Sequence, residues 1–436
     1  CFFFLFLLFS FFFLSFFFFF LLSFFFSKDG GGVRAGAGAV GCCFGVCRPT
    51  AFVGVAPNGS LVLRPADGQQ LLVDGVVFRS LLERLERAEQ QNNGLRQQLT
   101  SLAERLDNPL AELDCKSVTD TTTIAGLDGS FKWTSGVLGS NGKIYGFPDQ
   151  ANSVLIIDPM TNKADITSIA LPGGSGTWGG GVVAGNGKIY GVPSFATSVL
   201  IIDPATNAFD ITSITGLPTG GKWRGGVVAG NGKIFGIPHD VTSVLIINPS
   251  TNTTDITTIT GLTGTGKWSY GVLAGNDKVY GIPQDSASVL IIDPATSTAD
   301  VTSITGVGSE RGKWIGGVLA GNSKIYGIPY HSTAVLIIDP DKNMVDLTSI
   351  SGLTGTGKWN GGVLAANGKI YGIPRAAGAA LVIDPAANTA DVTSMTGLGD
   401  GSKWLDGVLA RNGKIYGIPL SSPSVLIIQS LCTGGL

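Results

Sequence analysis

Three features of this sequence predict an all-β chain folded as a seven-bladed β-propeller with four-stranded blades. The first is a fixed repeat period. All seven Trp residues mark it: Trp133, Trp178, Trp223, Trp268, Trp314, Trp359 and Trp404 stand 45 residues apart, with one interval of 46. The prolines of the "KIYGIP" runs keep the same beat, from Pro148 to Pro419. The second feature is the content of each unit: four short runs, "GGVLA", "KIYGIP", "SVLIIDP" and "ADITSI". Asn-Gly, a variable polar loop, Asp-Pro-x-Thr-Asn and a Gly-rich stretch separate them. Short runs rich in Val, Ile, Thr and Tyr between Gly, Pro and Asn are strands, and four in about 45 residues make a propeller blade. The third feature is the seventh unit, which has "GVLA", "KIYGIP" and "VLII" but no "DITSI". An orphan equivalent, "VTDTTTI", stands at 118–124, with Asp120 lying 45 residues before Asp165. The N-terminal strand therefore completes the last blade, and closure removes the exposed sheet edges. This order makes "GGVLA" innermost and "DITSI" outermost.

Other segments precede the ring. Residues 1–59 read as a leader, Phe-rich and then Cys/Gly-rich, and lacking packed structure. Residues 1–27 are nearly all Phe, Leu and Ser, long enough to span a bilayer. A translated pyrimidine tract would produce the same run, and the positive start of a signal peptide is missing. Cys42, Cys43 and Cys47 have no second Cys or His cluster nearby to complete a zinc site. Residues 60–77 read as a short β segment of two strands. At 78–114 the pattern changes to an amphipathic helix. Phe78, Leu85, Asn92, Leu99 and Leu106 are seven apart, and Leu81, Ala88, Leu95 and Leu102 fill the complementary positions. This is the a/d pattern of a coiled coil, with one Asn at an a position to set register. It predicts a stalk that self-associates through 78–106. A single helix docked on its own propeller is the alternative. Gly94 weakens either helix by about 1 kcal/mol. Residues 115–436 form the propeller.

"TSVLIIDPATN" followed by a Gly-rich stretch and "GGVVAGNGKIYGVP" resembles the repeat of YVTN-type surface-layer propellers. It is also similar to the kelch repeat, in which an "IY" strand precedes a "V-x-x-x-D-P-x-T-N" strand and turn. The resemblance covers residues 118–429. It departs from kelch in having Ile-Pro where that family has a Gly-Gly pair, and in lacking the Trp after the Asn turn. It departs from the YVTN type in having Gly-Ile-Pro after the tyrosine. The resemblance implies the propeller; propellers host many functions.

Comparison of the units with one another separates framework from variation. The Trp of each "KW" reads as packing between blades, with stacking on sugars as the functional alternative. The preceding Lys is nearly as regular, with Thr177 the exception. Glycine after the Trp fits close backbone approach near the axis. Variation falls in two places. One is the loop after "IP", which offers Asp149, Phe195, His239, Asp240, Asp285, Tyr330, His331 and Arg375. The other is the pair after Trp, which offers Arg224, Tyr270, Asn360 and Asp406. Both sets belong to one end of the ring and make a candidate ligand-binding face.

Several chemistries are disfavoured. The net charge is −2, and the isoelectric point near 5.8 gives no basic footprint for nucleic acid. "GLTGTGKW" mimics a phosphate-binding loop, but Trp replaces the Ser/Thr that would hold magnesium, and no helix follows. Two His, His239 and His331, cannot build a His-rich metal centre. No G-x-S-x-G elbow occurs. No cofactor is expected.

The reading is therefore a recognition module for a glycan or protein ligand, displayed on an oligomerising stalk outside the cytoplasm, with membrane attachment open through the N-terminal run. An enzyme acting on glycans or small molecules is the alternative, and an intracellular kelch-like adaptor a third. Cys115 and Cys432 bear on the third. By repeat phase they map to Met160 and Thr161, neighbours in a turn that the last blade lacks. A Cys115–Cys432 disulfide is expected there, and would place the protein in an oxidising compartment.

Overall fold

Each repeat folds as its four runs require. In the first, strand a (Trp133–Leu138), strand b (Ile144–Pro148), strand c (Leu155–Asp158) and strand d (Lys163–Asp165) form an antiparallel sheet in that order. Six further sheets repeat the pattern around the ring. The chain is a seven-bladed β-propeller. The computed structural model describes residues 51–55, 61–65, 71–73, 114–172 and 177–433. There is no helix among the described residues.

The chain divides into two units, 1–111 and 112–436. In the first, Ala51–Val55, Leu61–Pro65 and Leu71–Val73 form a three-stranded antiparallel sheet. Its first strand lies within the segment read as leader. The other two fall where two strands are expected. The apolar run 1–27, the cysteines at 42–47 and the heptads of 78–106 lie outside the described residues.

In the propeller, strand b is buried along its whole length in every blade. The core lies between blades. One layer joins Val227, Phe235, Ile237, Val244 and Ile246 of blade 3 to Trp268, Val279, Leu290 and Ile292 of blade 4. The Trp indoles are buried there, and Trp133 Nε1 donates to the Ser153 carbonyl at 2.8 Å. This supports packing, rather than sugar stacking, as the repeated role of Trp.

Strand d is shorter than "ADITSI" suggests and stops at its Asp. Asp165 Oδ1 accepts from the Thr167 N–H at 2.7 Å and the Ser168 N–H at 3.0 Å, and Oδ2 accepts from the Ser168 hydroxyl. The carboxylate turns the backbone out of the ladder, as Asp does in an Asx turn. Every blade repeats this with Asp120, Asp165, Asp210, Asp255, Asp300, Asp346 or Asp391.

Latches at the a–b and c–d turns join neighbouring blades. The Tyr145 hydroxyl meets Asn207 Oδ1 at 2.8 Å, and Asn141 Nδ2 donates to the Pro204 carbonyl at 2.7 Å. Tyr416 and Asn412 do the same to Asn162 and Pro159, which closes blade 7 on blade 1. The blade 7 turn that Tyr371 would meet is missing, and its hydroxyl meets Ser117 Oγ at 2.8 Å instead.

The ring closes through Asp114–Asp120 pairing with Leu426–Thr433. In blade 1 the c–d ladder ends at Asp158↔Lys163, where the turn begins. In blade 7 nothing turns the chain. The ladder runs on past Gln429↔Val118 to Thr433↔Asp114. Repeat phase places Cys115 and Cys432 as neighbours in a turn; the longer ladder makes them direct register partners, Cys432↔Cys115.

Two outcomes are expected. Paired Cα atoms in an antiparallel ladder lie about 4.5–5.5 Å apart, within the disulfide range. Under oxidising conditions a non-reducing peptide map should recover Cys115 and Cys432 as one cross-linked peptide pair. Recovery of both as free thiols removes the bond. The second outcome concerns acid. Hydrogen bonds from Ser168 and Thr167 hold Asp165 near 2, against an ordinary 3.8, and Asp210 and Asp255 behave alike. A carboxylate lowered on folding stabilises above about pH 4, and that contribution is lost as pH falls through 2. Circular dichroism should show stability falling steeply below about pH 4. Asp165→Asn should soften the fall.

Candidate functional site: the mouth of the axial channel

Two loops per blade meet at the end of the ring opposite the Tyr latches. Lysine ties them together. Lys267 Nζ, from the connection entering blade 4, donates to the Val241 carbonyl at 2.8 Å and the His239 carbonyl at 3.1 Å, both in the b–c loop of blade 3. The Gly264 carbonyl completes the nest at 2.7 Å. Lys132, Lys313, Lys358 and Lys403 repeat this arrangement. These ammonium groups are buried and also lie beside their Trp rings, as Lys267 does at 5.9 Å from Trp268. Burial lowers Lys267 and Lys358 to about 8.

The latch accounts for several variable residues. The second residue of the b–c loop caps a backbone N–H entering the next blade. Asp240 Oδ1 accepts from the Gly266 N–H at 2.9 Å, and Asp285 Oδ1 from the Gly312 N–H at 2.7 Å. His331 Nδ1 accepts from the Gly357 N–H at 2.9 Å, and Ser421 Oγ from the Phe131 N–H at 3.2 Å. Asp240, Asp285 and His331 thus join blades. Arg375 and Tyr330 pair with each other, Nη1 donating to the hydroxyl at 2.6 Å with the guanidinium over the ring. Phe195 stands on the rim, 56% exposed.

The pair after each Trp sits in a β-bulge. Trp133 opposes Pro148 and Gly136 opposes Gly146, so strand a carries one extra residue between them. Bulges re-aim side chains next to functional sites. The second bulge residue lines the axis, where room is scarce. A Cβ on Gly316 would lie 2.9 Å from the Gly361 Cα, and one on Gly225 would lie 2.7 Å from the Tyr270 ring. The sequence at this position is Ser135, Gly180, Gly225, Tyr270, Gly316, Gly361 and Asp406. Tyr270 takes φ 65°, beside 73° at Gly225 and 72° at Gly361. A bulky residue in this left-handed region is strained, and such strain collects at functional sites.

The Tyr270 ring crosses the channel. It packs against Gly225 of blade 3 and Gly180 of blade 2. Its hydroxyl approaches Ser135 of blade 1. Ser135 also lies near Asp406 of blade 7, whose Oδ1 accepts from the Gly407 N–H at 2.9 Å. Burial raises Asp406 to about 6. Burial, and then the Asp406 charge, raise the Tyr270 hydroxyl, while Arg224 opposes them. Arg224 also acts on His239 and on Asp149. Burial raises the Asp149 carboxyl.

His239 is buried. Its Nδ1 lies 2.8 Å from Asp240 Oδ2, which favours the tautomer with the proton on Nδ1. Burial, then Arg224, hold its pKa below the ordinary value. Its Nε2 is buried without a hydrogen-bond partner, and so are Ser269 Oγ, Gln284 Oε1 and Asn360 Oδ1. Gln284 lies close enough to His239 to favour the charged ring, without completing that bond. Arg224, Tyr270, Asp406, Asp149 and His239 therefore come together. Asn360 is buried in blade 6 with no contact that joins it to them. Ser135, Ser269 and Gln284 are site residues that sequence reasoning missed; their one signal is that they stand at variable positions. No cluster of metal-ligating side chains occurs among the described residues.

The sequence matches no protein-family model and no curated protein. The fold is similar to a streptogramin B lyase, at TM-score 0.59 and 11% identity over 72% of this chain and 98% of that one. It is also similar to virginiamycin B lyase from Staphylococcus aureus, solved with quinupristin, at 0.59 and 11% over 73% and 100%. A third likeness is to the extracellular domain of a one-component system protein from B. thetaiotaomicron, at 0.54 and 8% over 71% of this chain and 39% of that one. The likeness is one of fold. The YVTN and kelch resemblance stays one of sequence pattern.

Asp406 yields a prediction. Its folded pKa lies above its unfolded value, so the fold loses stability as pH rises from about 4 to 6 and keeps that loss above. Asp406→Asn should raise stability at pH 8 by on the order of 1 kcal/mol, allowing for solvent at the mouth, and leave it unchanged at pH 3. Thermal melts at the two values test this.

Proposed function

We propose that this protein is a non-catalytic recognition module whose ligand, a glycan or a protein segment, seats at the mouth of the axial channel. One observation carries the reading. The seven-fold repeat is broken by polar singletons that converge, and Tyr270 holds a strained conformation to reach across blades 3 and 2 to blade 1. The neighbouring Ser269 Oγ, and His239 Nε2 on the same face, are buried without partners. Buried polar groups without partners cost free energy, and a ligand that pairs with them recovers it. The likeness to an extracellular domain agrees with display outside the cytoplasm. Presentation on a stalk formed by 78–106, and membrane attachment through 1–27, belong to the same proposal.

Catalysis is a second reading with its own observation. Asp406 near 6, beside Ser135 and Tyr270, is a group able to exchange a proton near neutral pH.

Glycan and peptide arrays probed with the full chain test the proposal. Arg224→Ala or Tyr270→Ala should weaken the leading hit more than tenfold, about 1.4 kcal/mol. Asn231→Ala removes a latch on the far face and should change affinity less than about twofold. The reverse pattern moves the site to the other end of the ring. For the stalk, light scattering with and without 71–114 should show an oligomer only with the segment present.

A further inference from the structure

Two junctions of the ring depart from the lysine latch: Lys222 reaches only the Gly220 carbonyl, and the junction entering blade 2 has no lysine at all. Six blades are entered by a Lys before the Trp, and blade 2 is entered by Thr177. At five junctions the ammonium rests on the carbonyls of the first and third residues after "IP", as Lys358 does on Tyr330 at 3.2 Å and Ser332 at 2.8 Å. The same two positions between blades 1 and 2 are Asp149 and Ala151. Thr177 has no amine to offer them. The six lysines are buried, whereas Thr177 is only half-buried, so water reaches this junction. The chain places a carboxylate there as well, on Asp149 itself.

Blade 2 also carries no side chain at its bulge pair. Its bulge pair is Gly179 and Gly180, the only double glycine among the seven. Its b–c loop begins with Ser194, which lies 3.3 Å from where a Gly179 Cβ would be. Opposite charges flank this notch. Asp149 belongs to blade 1 and Arg224 to blade 3. Each feels the other's charge, yet the two make no ion pair. His239, beside Arg224, keeps a buried and unpartnered Nε2. The notch thus has an ammonium-accepting side and a carboxylate-binding side.

We propose that the notch over blade 2 binds a small zwitterion, a free amino acid. Its ammonium group takes the place of the missing lysine on the Asp149 and Ala151 carbonyls and the Asp149 carboxylate. Its carboxylate meets the Arg224 guanidinium. Ammonium on carbonyls is the interaction that the other junctions already use, and a guanidinium matches a carboxylate in a two-point contact. His239 Nε2 is available to a donor on the ligand. This assignment goes beyond the glycan or protein reading and rests on it only for the place of the site.

Calorimetry and thermal shift on the full chain test it, with free α- and ω-amino acids as probes and their N-acetyl and methyl ester forms as controls. At least one free amino acid should bind, and acetylation or esterification should each weaken it at least tenfold. Thr177→Lys supplies an internal ammonium. It should weaken amino-acid binding at least tenfold while the melting temperature holds or rises. Should that variant not fold, Asp149→Asn carries the same test. Arg224→Ala should weaken the free amino acid but change the ester little. Absence of binding by every free amino acid, or binding indifferent to N-acetylation, overturns the proposal. A glycan or peptide that binds in an Arg224-dependent way while no amino acid does would leave the recognition reading standing and remove this one.

Discussion

Everything in this ring depends on the apolar layer between neighbouring blades. No blade has a core of its own. Its strand b is sealed on both faces only because a neighbour lies on each side, as the layer between blades 3 and 4 shows. A buried Ile or Leu contributes about 1.5–3 kcal/mol, and each layer holds several. An incomplete ring would leave two such layers wet. That is why closure through Asp114–Asp120 matters, and why its ladder continues to Thr433. Polar latches then fix the angle between blades at both ends, lysine on carbonyls at the mouth and Tyr on Asn at the turns.

The same geometry crowds the axis. Seven inner strands converge until a single Cβ on Gly316 would meet the next backbone. Glycine is therefore the default there, and each departure has to be accommodated by a neighbour. Tyr270 fits because Gly225 and Gly180 leave its ring a path. The Tyr270 bridge is thus a result of the pattern of glycines. Function is free to vary at the mouth because the framework is secured elsewhere, by residues that repeat.

The candidate face was legible because the chain carries seven copies of its own framework, so Arg224, Tyr270 and Asp406 stand out as singletons. Variation alone does not separate ligand groups from latches. Asp240, Asp285 and His331 vary in type, but each accepts a backbone N–H from the next blade. Asp and His can both supply an acceptor at that point, so the position tolerates change without contacting a ligand. Ser135 was missed for the opposite reason. A lone Ser in an inner strand carries no signal until Tyr270, three blades on, is seen to approach it.

By itself the sequence determined the blade count, the strand order, the innermost strand and the closure by the N-terminal segment. Those follow from period and phase, which are properties of the chain. It also showed that Thr177 departs from the lysine rule, without showing what the lysines do. Only the tertiary structure decided that strand d stops at its Asp, since a side-chain acceptor competes there with the ladder. Only it decided that Cys115 and Cys432 face each other in register, since a ladder with no turn runs on. And only it brought Asp149, Arg224, His239, Tyr270 and Asp406 to one mouth, because they come from four blades that a closed ring alone draws together.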